Sequence, residues 1–242
     1  MGLYLQSKHK QSKTAEVRKE VNMTKYEMVA RLEMVLNGNY NTADVQSVID
    51  ALNEEIRADA NKSLGSAQKN LLKACKNVLK SAEKVGHLKL QGTWVANDKQ
   101  YVCDGYRIIA NRTPLALKEL VLENPADKPL DVQSMIDKQT FDAEIPLPSL
   151  AEIEDAIKRC KAEIKANKIK DAKILYTIKC DGLYWTYNAE FLRDGIMATG
   201  ATYYAKVTNG KNHFPILMCG ADADYFLLPV NTATEREGAY IA

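Results

Sequence analysis

The hydrophobic pattern of the first part of the chain predicts two helices joined by a short turn. Between residues 24 and 60, apolar side chains recur every three or four positions, which is the period of an amphipathic helix. Thr24 and Thr42 are suited to cap the two helices, and Asn37-Gly38-Asn39 is a typical stop signal between them. We therefore predict a helical hairpin over residues 23–62 that serves packing or dimerisation.

A third amphipathic helix, from about Ser66 to Lys84, is predicted to carry its positive charge on one face. At about 100° per residue, five lysines fall within an arc of roughly 80°, and the apolar residues occupy the opposite side. Glu83 is the only acidic residue of this stretch, although an ordinary exposed helix mixes glutamate with lysine. A merely solvated surface is one interpretation, and a face that contacts phosphates is the other. The five residues, called the lysine face below, are Lys69, Lys73, Lys76, Lys80 and Lys84.

The later part of the chain alternates apolar and polar residues with the period of β-strands. Dipeptides typical of tight turns separate the strands, and they are Asn97-Asp98, Asp104-Gly105, Asp181-Gly182 and Asn209-Gly210. A helix is predicted to begin at Ser149, where Glu152 keeps capping-box spacing, and another covers residues 189–199. This order of elements predicts an α+β fold with antiparallel sheets and packed helices, not a doubly wound parallel sheet.

Three segments are predicted to lie outside this pattern. Residues 1–22 are polar and basic, and we predict a disordered leader, with a basic arm that touches nucleic acid as the alternative. Two prolines mark residues 125–139 as an exposed connection, and residues 232–242 are predicted to be a polar tail. The body between the hairpin and the tail, residues 63–231, is predicted to be one α+β domain.

Composition narrows the functional classes. With 46% hydrophobic residues the chain can bury a core, and 33 basic against 31 acidic residues give a net charge of +2. Nucleic-acid binding must therefore come from local patterning, not from bulk charge. No apolar run approaches the roughly 18 residues of a membrane span, and no secretory signal is visible. The five cysteines lack C-x-x-C spacing, which favours free thiols in a reducing cytoplasm.

Motifs for catalysis and for cofactors are missing from the sequence. There is no glycine-rich phosphate loop, no metalloprotease helix and no nucleophile elbow. The three histidines lie far from one another and from any acidic or cysteine cluster, so no metal site is predicted. We therefore predict a binding protein without a cofactor, not an enzyme.

Several motifs resemble, in the same order, those of the bacterial sliding clamp, the DNA polymerase III β subunit. They are Asn70-Leu71-Leu72-Lys73-Ala74-Cys75, the run Tyr101-Val102-Cys103-Asp104-Gly105-Tyr106-Arg107-Ile108-Ile109-Ala110, the strand Phe141-Asp142-Ala143-Glu144-Ile145-Pro146 before its helix, Tyr187-Asn188-Ala189-Glu190-Phe191-Leu192-Arg193-Asp194-Gly195-Ile196, Phe214-Pro215-Ile216, and Tyr225-Phe226-Leu227-Leu228-Pro229-Val230. The clamp subunit has three domains of this kind, and this chain has room for one or one and a half. The resemblance thus implies a DNA-clamp-like domain in a reduced or phage-type protein, which needs several copies to encircle DNA.

The resemblance also implies partners and sites. Helices with exposed lysines line the hole of the clamps, so double-stranded DNA is expected at the lysine face. A hydrophobic cleft of the clamps takes peptide tails of replication proteins, and here the matching residues are Gly105, Tyr106, Arg107, Ile108, Leu228, Pro229 and Val230. A homo-oligomeric processivity-type scaffold is the function so implied. The alternative is a protein-interaction module of the same fold that binds a replication or host protein without DNA.

Overall fold

A computed structural model describes residues 25–38, 41–86, 88–122, 124, 127–201, 204–208, 215–232 and 236–242. The chain divides into two compact units, Met1–Ser63 and Leu64–Ala242. The predicted leader and the turn at Asn209-Gly210 lie outside the described residues, as does Thr24. Within the described part, no helix is long and apolar enough to cross a membrane.

The first unit contains a pair of helices, α1 (Lys25–Leu36) and α2 (Thr42–Ala60). Arg31 of α1 reaches across to α2, where its guanidinium donates to Ser47 Oγ at 2.6 Å and to Asp44 Oδ1 at 3.3 Å. Because Arg31 lies near the middle of α1 and its partners lie in the first turns of α2, these contacts fit an antiparallel hairpin with a short connection.

The start of α2 differs from the prediction by one residue. Asn41 is the N-cap, and its side-chain oxygen accepts a hydrogen bond from the backbone N–H of Asp44 at 2.9 Å. Thr42 is therefore the first helical residue, and the prediction that it caps α2 is wrong. Asparagine is at least as good a cap as threonine, so the residue one position earlier takes that role.

The second unit combines four helices with ten strands in its described part. Its helices are α3 (Ser66–Val85), α4 (Val132–Asp137), α5 (Leu150–Asn167) and α6 (Ala189–Thr199), with a 3₁₀ turn at Leu88–Leu90. Its strands are β1 (Trp94–Ala96), β2 (Lys99–Cys103), β3 (Arg107–Asn111), β4 (Phe141–Pro146), β5 (Ile174–Cys180), β6 (Leu183–Asn188), β7 (Tyr204–Thr208), β8 (Ile216–Cys219), β9 (Ala223–Leu227) and β10 (Gly238–Ile241).

These strands form two antiparallel sheets. Seven strands make the larger sheet in the order β1-β2-β3-β9-β8-β7-β4, and three make the smaller one in the order β10-β5-β6. Every ladder between these strands is antiparallel. The predicted α+β class with antiparallel sheets is therefore confirmed.

Two of the predicted tight turns close hairpins as expected. Asn97 and Asp98 have φ angles of 48° and 57°, and Asp181 and Gly182 have φ angles of 50° and 77°. Positive φ at both central residues is the geometry of the type I′ turn, whose twist matches that of the paired strands. The ladders β1–β2 and β5–β6 accordingly run up to the turns without a register shift.

The predicted capping box of α5 is present. Ser149 Oγ accepts from the backbone N–H of Glu152 at 3.2 Å, and the Glu152 carboxylate accepts from the Ser149 N–H at 2.8 Å. These hydrogen bonds lower the pKa of Glu152 below its ordinary value. The helix then buries the side chains of Ile153, Ala156, Ile157 and Cys160.

Two segments predicted as irregular contain regular structure. Val132–Asp137, within the predicted connection, is a helix that buries Val132 and Ile136. Gly238–Ile241, within the predicted polar tail, is a strand that pairs with β5 and buries Tyr240. Both predictions are wrong for the same reason. These segments are too short to show a period, and they are held by a few long-range contacts.

The thiol of Cys75 lies in the main core. Its side chain is inaccessible to solvent, and burial raises the pKa of the Cys75 thiol to about 12, against a smaller opposing effect of a hydrogen bond from Asn111. A thiol that stays protonated at neutral pH is a poor nucleophile and a poor metal ligand. All five cysteines are free, and Cys219 is the exposed one.

Candidate DNA-binding face and partner cleft

Helix α3 presents its lysines to solvent and its apolar side to the core. The buried residues of the helix are Leu71, Ala74, Cys75, Val78 and Ala82. All five residues of the lysine face are exposed. The helix cannot rotate about its axis without exposing that apolar side, so the direction of the lysines is fixed by the core.

The positive charge of the lysine face is not neutralised within the described part of the chain. None of the ion pairs found there involves these five lysines. Elsewhere on the surface lysines do find partners, as Lys161 does with Glu190 at 2.6 Å. At 1.5 Å per residue the lysine face extends for about 22 Å along α3. Helix α3 thus carries a row of exposed ammonium groups that make no ion pair with a described residue.

The turn between β2 and β3 is organised by a buried carboxylate. Asp104 accepts hydrogen bonds from the backbone N–H groups of Tyr106 and Arg107, both at 3.0 Å. Gly105, between Asp104 and Tyr106, has a φ of 90°, a backbone conformation that residues with a side chain rarely adopt. Asp104 and Gly105 together thus fix the backbone that carries Tyr106.

Arg107 connects this turn to two helices from inside the protein. Its side chain is only 2% exposed, and it donates to Asp104 Oδ2 at 2.8 Å and to Asp194 Oδ2 of α6 at 2.7 Å. A third bond, of 3.2 Å, goes to the backbone carbonyl of Asn77 on α3. The Asn77 side chain in turn donates to Asp194 Oδ1 at 3.0 Å. The helix of the lysine face and the turn of Tyr106 therefore share one buried polar network.

Aromatic rings cover this network. The Arg107 guanidinium lies 3.9 Å from the centre of the Phe191 ring, a cation–π distance. The Phe191 ring lies 6.4 Å from that of Tyr106, at an angle of 36°. Tyr106 is half exposed, at 50%. The rings of Tyr106 and Phe191 together form an apolar surface, and its outer part, on Tyr106, is accessible to solvent.

The segment after β9 contains the other residues of the predicted cleft. The backbone N–H of Leu228 donates to the carbonyl of Tyr106 at 2.9 Å, and the N–H of Val230 donates to the carbonyl of Thr186 on β6, also at 2.9 Å. This segment therefore joins both sheets, and its side chains, with Pro229 between them, are half buried. The expected proximity of Tyr106 and Leu228, which are far apart in sequence, is confirmed.

Two residues that the resemblance placed in the cleft do not offer their side chains to a partner. Arg107 is held in the buried network, and Ile108 is 4% exposed in a second apolar cluster. Sequence reasoning also missed Phe191 and Thr186, which lie beside the residues of the predicted cleft. Phe191 belongs to the clamp-like motif at residues 187–196, so its presence in that motif was the available signal. Thr186 takes part through its backbone carbonyl, for which the sequence carries no signal.

Two cavities of the second unit lie apart from the lysine face and from the predicted cleft. One, of about 410 Å³, has Lys99, Arg112 and Asp224 in its wall, and the other, of about 280 Å³, lies beside the start of α5. Neither is lined by a residue of the lysine face or of the predicted cleft. Both basic groups of the first cavity are already paired with Asp224, at 3.4 and 2.6 Å. No group of three or more metal-binding side chains occurs among the described residues.

Comparison with known proteins gives distant structural similarities. No family model and no curated protein matches the sequence. The β subunit of DNA polymerase III from Thermotoga maritima is 12% identical, with 66% of this chain aligned to 64% of that one at a TM-score of 0.41. The Helicobacter pylori β clamp bound to a DNA ligase peptide is 12% identical over 67% and 64% of the two chains, at a TM-score of 0.42. The same clamp in complex with diflunisal is 14% identical over the same shares, at a TM-score of 0.43.

Proposed function

We propose that this protein is a clamp-like scaffold that holds duplex DNA without reading its sequence and docks replication proteins at the Tyr106 cleft. The observation that carries the proposal is the row of five exposed lysines on α3, whose charge no described carboxylate neutralises. The proposed protein binds and positions its partners, and no catalytic step is assigned to it.

The lysine face suits a DNA partner that is held but not read. Lysine is a compact charge on a long flexible stem, so it follows a phosphate backbone without demanding one geometry. Contacts to phosphates carry no sequence information, whereas specific readers place planar side chains on base edges. Five lysines on one helix face therefore favour affinity without specificity, which is the property that a sliding protein needs.

The cleft suits a peptide partner. Tyr106 offers an accessible ring above Phe191, and Leu228, Pro229 and Val230 add apolar surface that is only half buried. Large aromatic side chains on a rigid support dominate the energy of many interfaces. Here the support is the buried Arg107 network, which fixes the turn before any partner arrives.

The DNA proposal is tested by measuring affinity for duplex DNA at several salt concentrations. Five phosphate contacts per chain should give a slope of log K against log salt of about −4.5. Affinity should be the same for duplexes of unrelated sequence, because the contacts are to phosphates. Protein that fails to bind any duplex at low salt would exclude the DNA scaffold and favour the protein-interaction module.

The cleft proposal is tested with a labelled DNA ligase peptide of the kind bound by the Helicobacter pylori clamp. We expect Tyr106→Ala to weaken the binding of this peptide by about tenfold or more, because the substitution removes the exposed ring of the cleft. Tyr204→Ala is the matched control, since Tyr204 is 63% exposed on β7 and is not part of the cleft. Equal peptide affinity of the two variants, or none in the wild type, would remove the cleft from the proposal.

A further inference from the structure

The helical hairpin of the first unit leaves an apolar stripe on its surface. Six large apolar side chains on α1 and α2 are between 39% and 65% exposed, and all but Met34 share one side of the hairpin. These five, called the hairpin seam below, are Val29, Leu32, Ile49, Leu52 and Ile56. Among the described side chains of the hairpin, Met28 and Val48 are the only buried apolar ones. Two buried side chains are a very small core, and units of about 40 residues usually need a further stabilising partner.

The spacing of the hairpin seam is that of a helix-packing interface. On α2 the seam residues Ile49, Leu52 and Ile56 follow one another at intervals of three and four, as in the a and d positions of a coiled coil. On α1, the seam residues Val29 and Leu32 are three positions apart. A merely solvated face has no reason to keep this period.

The two halves of the hairpin seam lie on the same side of the hairpin. At about 100° per residue, the seam of each helix lies roughly 100° around the axis from the side that faces the other helix. Because the helices are antiparallel, these equal rotations bring both stripes to one face. The hairpin therefore resembles half of a four-helix bundle, and the face that would enter the bundle core is exposed in the described part of the hairpin.

We propose that the hairpin seam binds the hairpin seam of a second copy of this chain, so that two hairpins complete a four-helix bundle. Each hairpin supplies two helices with the same spacing, which is what such a symmetric pairing requires. The seam residues of one copy expose roughly 400 Å² of apolar surface. If apolar atoms make up about 60% of the interface area, each copy buries about 650 Å² and the pair about 1,300 Å², a standard size for a stable complex.

Charge argues against nucleic acid as the partner of the hairpin seam. Residues 25–63 contain four basic and seven acidic residues, a net charge of −3, which repels a polyanion. The hairpin thus differs in character from the lysine face. A dimer made through the seam would bring two clamp-like units into one particle, and this pairing does not depend on whether those units bind DNA.

The test uses the full chain and light scattering over a range of concentrations. We expect the wild type to pair, with at least twice the mass of the 27.0 kDa chain, and Ile56→Glu to raise the concentration for half-pairing about tenfold or more. Met34→Glu is the matched control, because Met34 is 48% exposed on the same hairpin but lies about 140° around α1 from Val29. The control should pair like the wild type.

Hydrogen exchange of the unsubstituted protein provides a second measurement that does not rely on a variant folding. The hairpin amides should gain protection as the protein concentration rises, whereas the amides of the second unit should not. A wild-type chain that stays monomeric at high concentration would overturn the proposal. Pairing that Ile56→Glu leaves unchanged would overturn it too. So would full hairpin protection in a chain that light scattering shows to be monomeric, since the seam would then be covered within one chain.

Discussion

Replacing Arg107 with methionine should lower the free energy of unfolding of the second unit by about 3–5 kcal/mol. The substitution leaves the carboxylates of Asp104 and Asp194, which are 0% and 2% exposed, without the buried cation that donates to both of them. Asp194 keeps its ion pair with the partly exposed Arg193 at 2.6 Å, but among the described residues Asp104 keeps only backbone N–H donors. A buried carboxylate that has lost its counter-charge is costly, since its water is not replaced. Methionine retains most of the length of the side chain, so the lost charge dominates the effect.

Tryptophan fluorescence during urea unfolding measures this effect directly. Both tryptophans, Trp94 and Trp185, belong to the second unit, so their signal reports its stability. Arg112→Met is the matched control, because Arg112 pairs with Asp224 at 2.6 Å but is 42% exposed. That variant should lose less than about 1 kcal/mol.

Removing the carboxylates as well should restore part of the loss. In the triple variant Arg107→Met with Asp104→Asn and Asp194→Asn, no buried carboxylate remains at the network, and the amide oxygen of residue 104 still accepts from the turn. The charge left without its partner is Arg193, which pairs with Asp194 at 2.6 Å but is 20% exposed and can be solvated. Replacing every charged member of a buried cluster is often far less costly than removing one. A loss for Arg107→Met that matches the Arg112→Met control would show that the buried network does not stabilise the fold.

Sequence reasoning succeeded where a local signal determines the structure. Positive φ angles at Asn97-Asp98 and at Asp181-Gly182 follow from residue types that tolerate them. The capping box joins Ser149 and Glu152, which are only three residues apart. On α3, the separation of the exposed lysines from the buried apolar residues follows from the 3.6-residue period of the helix. Each of these features is decided within a few residues, so the sequence alone contains the information.

The failures concern residues whose role depends on distant partners. Arg107 was expected at a surface cleft, but Asp194, far along the chain, and the Asn77 carbonyl draw its side chain inside. The strand Gly238–Ile241 exists because β5 offers an edge to pair with. Neither partner is visible in the local pattern. The resemblance to the clamps did predict that Tyr106 and Leu228 lie close together. An ordered set of motifs carries long-range information, which the period of a single helix or strand does not.

Changing Lys73, Lys76 and Lys80 together to glutamine should reduce the steepness of the salt dependence of DNA binding by about 2–3, because each lost phosphate contact accounts for roughly 0.9 of the slope. Affinity at low salt should fall strongly, and the loss should be equal for duplexes of unrelated sequence. Because all three side chains are exposed and make no described ion pair, the unfolding transition should remain within about 0.5 kcal/mol of the wild type.

The matched control for this variant moves the same charge change to another helix. Lys158, Lys161 and Lys165 are exposed on α5, where Glu154, Asp155 and Glu163 dilute their charge. Glutamine at these three positions alters the net charge of the chain by the same amount, so it corrects for bulk electrostatics. If phosphates contact the lysine face, the α3 variant should lose slope and the α5 variant should keep most of it. Equal slopes in the two variants would mean that DNA is held by overall charge, and the lysine face would then not be the DNA site.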